Sequence, residues 1–164
     1  MTSYAVNLSW SGDTGAGYAA YGRDHHLAMP PSEGFLDLSA DAAFRGNPTL
    51  PNPEALLLAA ASSCQLLSFL AVASRAKVSV TAYDDSASAV LDLVHSPARM
   101  ARITLRPRIT VVAGTDVRQV QALVHQAHEE CYIANTLAVP VAVMAAITLA
   151  EPSRTLGTAA PDRR

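Results

Sequence analysis

The chain contains two cysteines, Cys64 and Cys131, and a thiol is the side chain best suited to nucleophilic and redox chemistry. Cys64 lies in an uncharged run, residues 55–74, and Cys131 follows 67 residues later. A buried cysteine is often inert core filler, because burial raises the pKa of a thiol. Around Cys64, small residues at helical spacing leave room for a substrate or another backbone: Ala60, Ala61, Ser68 and Ala71. The pattern alone leaves both roles open.

A second group of candidate residues consists of His125, His128 and Cys131. At spacings of i, i+3 and i+6 they would lie within about 120° on one helix face and offer two nitrogens and a sulfur to a soft or borderline metal. No fourth ligand is identifiable. The cluster at residues 23–26, Arg-Asp-His-His, is compatible with a solvated charge cluster at a strand end.

The composition limits the class of protein. With 164 residues, 50% hydrophobic and 16% charged, the chain is predicted to form a single domain over residues 1–150, and residues 151–164 to form a disordered tail. The formal charge of −2 argues against nucleic acid or an acidic membrane surface as a partner. The first residues lack a basic and then apolar pattern, which indicates a cytoplasmic location where thiols are kept reduced.

The uncharged run at residues 55–74 is as long as a membrane span. Its alanines, serines and glutamine make it only mildly apolar, and a core helix can also be uncharged on all sides. We therefore predict a central helix covered on both faces. Asn52 is suited to cap this helix, Pro53 to begin it and Glu54 to interact with the positive end of its dipole, and the helix is predicted to end near residues 75–77.

The remaining elements follow from alternation and turn signals. Thr115 or Asp116 is predicted to cap a second helix that ends near Cys131. Strands are predicted within residues 4–10, 18–29 and 35–40 before the first helix, as two long strands at 78–95 and 99–114 between the helices, and at 138–150 after the second. The order βββ-α-ββ-α-β predicts an α+β fold.

Several motifs occur together in the order typical of one family. They are YGRDHH, AFRGN, NPEALLLAAASSC, YDD, LRPRITV and AHEECYIANTLAVPV. In this order and spacing the chain resembles the OsmC/Ohr superfamily over residues 17–149. The resemblance implies a cysteine-based, thiol-dependent peroxidase of organic hydroperoxides in the oxidative stress response. It also implies an intertwined homodimer, with two long helices on antiparallel sheets and the active site at the dimer interface.

The resemblance also implies roles for individual residues. Cys64 matches the cysteine that attacks the peroxide, and Cys131 matches the resolving cysteine that then forms a disulfide with it. Glu54 matches the acid of the NPE motif. Arg23 matches the arginine that pairs with the thiolate, and Arg45 is the alternative. The implied partners are an organic hydroperoxide and an external dithiol reductant, and no metal, flavin or nicotinamide cofactor is required.

Two features depart from the family pattern. A proline usually follows the second cysteine in the organic hydroperoxide resistance branch, whereas residues 131–133 read Cys-Tyr-Ile and resemble another OsmC-type branch. Glu54 and Cys64 are ten residues apart, about 15 Å along a helix, so either Glu54 lies in a folded-back entry turn or an arginine bridges the two. The competing hypothesis is a non-catalytic OsmC-like protein that binds a small apolar ligand or a metal.

Overall fold

The computed structural model describes residues 1–151 of the protein, in two compact units, Met1–Ala59 and a second that begins at Ala60. All but the first residue of the tail predicted at 151–164 lies outside the described residues. The single domain over residues 1–150 stays a prediction.

The N-terminal unit contains the three predicted strands, which are shorter than expected. They are β1 (Asn7–Ser9), β2 (His25–Ala28) and β3 (Phe35–Leu38), and they form an antiparallel sheet in the order β1-β2-β3. Leu27 is opposite Leu8 on one side and Leu36 on the other. The connection from β1 to β2 spans residues 10–24 because β2 begins only at His25.

The loop after β3 is closed by a tight backbone contact. A short 3-10 helix, Ala42–Phe44, begins at Asp41, whose carboxylate accepts a hydrogen bond from the Ala43 N–H at 2.8 Å. The Gly46 N–H donates to the Asp41 carbonyl at 3.0 Å. A Cβ atom on Gly46 would lie 1.7 Å from the Ala40 carbonyl oxygen, so the AFRGN segment closes only with glycine at that position.

Helix α1 (Pro53–Arg75) begins as predicted, because the Asn52 side-chain oxygen accepts a hydrogen bond from the Ala55 N–H at 2.8 Å. The prediction of cover on both faces is wrong for the single chain. One face is buried, at Ala61, Gln65, Phe69, Val72 and Ala73. Leu67 and Leu70 on the other side are 63% and 40% exposed. The buried core of the second unit packs against only one side of the helix.

Helix α1 is also long and apolar enough, by length and composition alone, to cross a membrane. A core helix passes the same test. Within its most apolar 18-residue window, 22% is buried inside the chain. Most residues of this window are therefore half-buried or exposed in the single chain.

The C-terminal unit contains two three-stranded sheets. One is ordered β4 (Val80–Asp85), β7 (Pro107–Val111), β9 (Ala146–Leu149), and the other β5 (Ser88–Asp92), β6 (Arg99–Leu105), β8 (Val141–Val143). The first pair in each sheet is antiparallel, and β8 and β9 pair in parallel with β6 and β7.

Each long strand predicted in this unit is divided into two shorter ones. The breaks fall at neighbouring positions, after Asp85 in β4 and at Arg106 between β6 and β7. There the Arg106 N–H donates to the Asp85 carboxylate at 2.7 Å. This side-chain acceptor takes the place of a strand carbonyl, so the ladder is interrupted.

Two more helices follow the β7 strand. Helix α2 (Val117–Glu129) is capped by Asp116, whose carboxylate accepts a hydrogen bond from the Arg118 N–H at 2.9 Å, so Asp116 rather than Thr115 is the cap. Helix α3 (Tyr132–Thr136) has five residues and was not predicted. The buried core of this unit joins α1, β7 and α2 through Phe69, Val72, Ala73, Ile109, Val111, Val120, Leu123, Val124 and Ala127.

Candidate active site

The two cysteines lie next to each other in the C-terminal unit. Cys64 is in the middle of α1 and half-buried, while Cys131 lies between α2 and α3 and is 1% exposed. Both are free thiols, and they are close enough for the Cys64 thiol to raise the pKa of Cys131. The fold therefore brings together two thiols that are far apart in the sequence, the more accessible one on the long helix.

Burial raises the pKa of the Cys131 thiol, and the neighbouring Cys64 thiol raises it further. The backbone N–H groups of Ala134 and Ile133 oppose this shift, but the pKa of Cys131 stays above its ordinary value. Cys131 is therefore protonated at neutral pH.

Tyr83 on β4 is a titratable residue whose pKa is affected by Cys131. Its ring packs against Phe69 of α1, with the two ring centroids 5.9 Å apart. Burial raises the pKa of Tyr83 strongly, and the nearby Asp85 carboxylate and Cys131 thiol add to the effect. The phenol therefore keeps its proton and can act only as a neutral hydrogen-bond donor or acceptor.

Asp85 connects the helix that carries Cys64 to the break in the sheets. Its second carboxylate oxygen accepts a hydrogen bond from the Ser62 hydroxyl at 2.6 Å, while the first accepts the Arg106 N–H. Ser62 precedes Cys64 by two residues on α1. Asp85 thus fixes the turn of α1 that carries the thiol against the sheets.

Three buried side-chain atoms within residues 1–151 lack a hydrogen-bond partner: Gln65 Oε1, Tyr83 Oη and His128 Nδ1. Gln65 follows Cys64 directly and is 1% exposed, and its amide nitrogen donates to the Val124 carbonyl at 3.3 Å. His128 lies three residues before Cys131. Unpaired buried polar atoms are uncommon. Two of these three, on Gln65 and His128, belong to residues close to a cysteine in the sequence.

The three residues considered as metal ligands, His125, His128 and Cys131, do not form a metal site. Cys131 has extended backbone angles and lies beyond the end of α2, so it does not continue the face of His125 and His128. Across residues 1–151 there is no group of three His, Cys, Asp or Glu side chains placed to hold a metal ion. The hypothesis of a metal face on the second helix is therefore wrong.

The N-terminal unit contains the other predicted residues. The Arg23 guanidinium donates to the carbonyl oxygens of Tyr21 and Tyr18, each at 2.7 Å. Its central carbon also lies 4.2 and 4.6 Å from the centroids of these two rings. Cation–π contacts and hydrogen bonds therefore hold the positive charge in a defined place.

Arg23 and Glu54 line the same cleft of about 170 Å³, together with His25, Ser39, Ala40, Asp41, Phe44 and Pro53. Glu54 lies in the first turn of α1, so the alternative of a folded-back entry turn is wrong. Arg45 has a left-handed backbone conformation, with φ 65°, and is exposed. The structure thus brings together the predicted residues in two pairs, Cys64 with Cys131 and Arg23 with Glu54.

Sequence reasoning missed Tyr83 and Asp85 as members of the site. The YDD motif supplied a family signal but no role. The available signal was alternation, which places Tyr83 and Asp85 on the same face of their strand. That they meet the Cys64 helix depends on contacts across the sequence, which alternation cannot give.

Comparison with known proteins supports this fold. The model of the OsmC-like protein family matches residues 46–144. The comparison with curated protein sequences finds no match. An OsmC-like protein of unknown function from Vibrio cholerae is similar in structure, with a TM-score of 0.78 and 25% identity over 89% of this chain and 100% of that chain.

Two further similar structures are described as organic hydroperoxide resistance proteins. The protein from Legionella pneumophila has a TM-score of 0.68 and 21% identity over 90% of this chain and 98% of its own. The Bacillus subtilis protein OhrB has a TM-score of 0.60 and 19% identity over the same shares. At these identities the two structures support the fold, and the α+β, OsmC/Ohr-like architecture predicted from the sequence is confirmed. Since the family match covers more than half of its length, the chain belongs to the OsmC-like protein family.

Proposed function

We propose that this protein is a cytoplasmic, thiol-dependent peroxidase that reduces organic hydroperoxides. The observation that carries the proposal is the proximity of two free thiols of different depth, Cys64 and Cys131, close enough for the first to shift the pKa of the second. The names of the similar proteins from Legionella pneumophila and Bacillus subtilis are consistent with this substrate class.

In the first step, the Cys64 thiolate attacks one oxygen of the peroxide. A sulfur–oxygen bond forms, the oxygen–oxygen bond breaks, and the alkoxide leaves and takes up a proton to become an alcohol. Cys64 becomes a sulfenic acid. The half-buried position of Cys64 suits this step, because the attacking sulfur must be reached by the peroxide.

In the second step, Cys131 attacks the oxidised sulfur of Cys64. A sulfur–sulfur bond forms, and the sulfenic oxygen leaves as water with the thiol proton of Cys131. The proximity of the two side chains favours this step. An external dithiol then reduces the disulfide and restores both thiols.

The first step needs a thiolate, and an arginine is the proposed source of positive charge. A thiol with a pKa near 8.5 is only a few per cent ionised at neutral pH. A guanidinium about 4 Å away contributes roughly 4 kcal/mol at an effective dielectric constant near 20, equivalent to about three pKa units. This effect is large enough to outweigh moderate desolvation. By the family resemblance we assign it to Arg23, and Glu54 is the acid that lines the same cleft as Arg23.

The deciding experiment is an anaerobic thiol titration before and after one equivalent of an alkyl hydroperoxide. The wild-type chain should lose both thiols and gain one disulfide. Cys64→Ser should not react, whereas Cys131→Ser should consume about one equivalent and stop as a sulfenic acid, which intact-protein mass spectrometry detects.

A wild-type chain that keeps both thiols would instead be a non-catalytic binding protein for a small apolar ligand. An active Cys64→Ser variant, or repeated turnover by Cys131→Ser without a small thiol, would contradict the assignment of the two cysteines.

A further inference from the structure

Gln65 is a polar side chain on the buried face of α1. It is 1% exposed and shares that face with Ala61, Phe69 and Val72. Its amide nitrogen donates a hydrogen bond across to α2, to the Val124 carbonyl oxygen at 3.3 Å. Its Oε1 atom is buried and has no hydrogen-bond partner. The amide is therefore only half paired, on a helix face that is otherwise apolar.

Stability does not account for an amide at this position. In an α-helix, the Val124 carbonyl already accepts the N–H of His128, four residues on, so it stays paired without Gln65. An unpaired buried amide oxygen costs free energy, whereas an apolar side chain of the same length would add favourable burial. A methionine would therefore stabilise the fold at least as well, and the amide calls for another explanation.

The hydrogen bond can instead determine how the two helices are aligned. Apolar packing between α1 and α2 is non-directional, whereas a hydrogen bond has a preferred length and angle. Cys64 directly precedes Gln65 on α1. Cys131 lies just beyond the end of α2, seven residues after Val124. A shift of one helix along the other would therefore move the two thiols relative to each other.

We propose that Gln65 is a positioning residue for the second step: its hydrogen bond to the Val124 carbonyl selects the alignment of α1 and α2 in which the sulfurs of the two cysteines can join. The inference rests on the proposed function. In that step the sulfur–sulfur bond replaces the sulfur–oxygen bond of the Cys64 sulfenic acid, and the hydroxide leaves as water with the Cys131 thiol proton. Cys131 is oxidised, the sulfenic sulfur is reduced, and Gln65 exchanges no atom or electron.

The test follows the two steps separately in wild type, Gln65→Met and Gln121→Met. Methionine keeps the unbranched shape of glutamine but removes the donor and the unpaired oxygen. Gln121→Met is the matched control, because Gln121 is an exposed glutamine of α2. Each protein receives one equivalent of tert-butyl hydroperoxide, samples are treated with dimedone at intervals, and mass spectrometry counts sulfenic acid adduct and disulfide.

Gln65→Met should lose the Cys64 thiol at a rate within about twofold of wild type but form the disulfide about fivefold more slowly or worse, so the adduct accumulates. Its free energy of unfolding in urea should equal or exceed that of wild type. Disulfide formation as fast as in Gln121→Met would overturn the inference. So would a Gln65→Met protein that is less stable than wild type and slowed equally in both steps, because the amide would then only hold the core.

Gln65→Glu provides a second readout. Burial raises the pKa of a carboxyl group, and its protonated form keeps an O–H that can donate to the Val124 carbonyl, whereas the ionised form cannot. The rate of disulfide formation relative to wild type should therefore be close to one at acidic pH and fall as the pH rises through the pKa of the carboxyl group. A ratio that does not change with pH would contradict the inference, whereas a wild-type chain that keeps both thiols after peroxide would overturn the proposed function itself.

Discussion

In the proposed mechanism, the reactivity of Cys64 depends on which arginine supplies positive charge to the sulfur. Arg23 has a defined guanidinium position between two tyrosines, whereas Arg45 is exposed. Arg23→Met in a Cys131→Ser background should therefore raise by one unit or more the pH at which Cys64 is half-maximally alkylated, about 1.4 kcal/mol per unit. Peroxide consumption at neutral pH should slow at least as much.

Arg45→Met in the same background is the control for this prediction. An alkylation profile that responds to Arg45 and not to Arg23 would reassign the arginine. Profiles unchanged in both variants would refute charge pairing as the source of Cys64 reactivity, and favour a cysteine that only fills the core.

Individual site residues were predicted to different extents. The two cysteines could be singled out by residue type, but their pairing followed only from family resemblance. Their proximity arises because α1 and α2 pack on one core, which brings the end of α2 to the middle of α1. Tyr83 was missed because an unpaired hydroxyl is a property of the packed interior and leaves no pattern in the sequence.

At the scale of elements, Asp85 holds the junction between α1 and the two sheets of the C-terminal unit. Asp85→Ala removes the acceptor for the Ser62 hydroxyl and the Arg106 N–H. Hydrogen bonds to a charged group contribute about 1.5–3 kcal/mol, so the free energy of unfolding should fall by about 2 kcal/mol or more. Urea unfolding measures this loss.

Asp84→Ala is the matched control, since Asp84 is the exposed neighbour on the same strand. Its effect should be within about 0.5 kcal/mol of zero. Equal loss of stability in both variants would show that Asp85 has no special place in the junction.

Elements that depend on local contacts could be predicted from the sequence, and those that depend on distant contacts could not. The beginnings of α1 and α2 were predictable because Asn52 and Asp116 cap through local contacts. The division of the long strands was not, since it depends on Asp85 accepting the Arg106 N–H from a distant strand. Helix α3 was missed because it is short and its first residue makes no side-chain cap.

At the scale of the whole molecule, the apolar surface of α1 calls for a partner. Leu67 is 63% and Leu70 40% exposed, on a helix that carries few charges. We predict a homodimer with this surface at its interface, so sedimentation equilibrium should give twice the chain mass of 17.2 kDa. Leu67→Asp should shift the equilibrium toward monomer, because it places a charge in an apolar contact.

Val94→Asp is the control, because Val94 is 97% exposed and lies outside the helix. It should leave the sedimenting mass unchanged. A wild-type monomer that still reduces peroxide would contradict the predicted dimer.

The unequal burial of the two cysteines determines which sulfur of the proposed disulfide a reductant attacks. A reducing dithiol reaches the outer sulfur, so the mixed disulfide forms on Cys64 and Cys131 is always the leaving group. A thiol whose pKa is raised by burial leaves slowly. We therefore expect the burial of Cys131 to slow the reduction of the proposed disulfide.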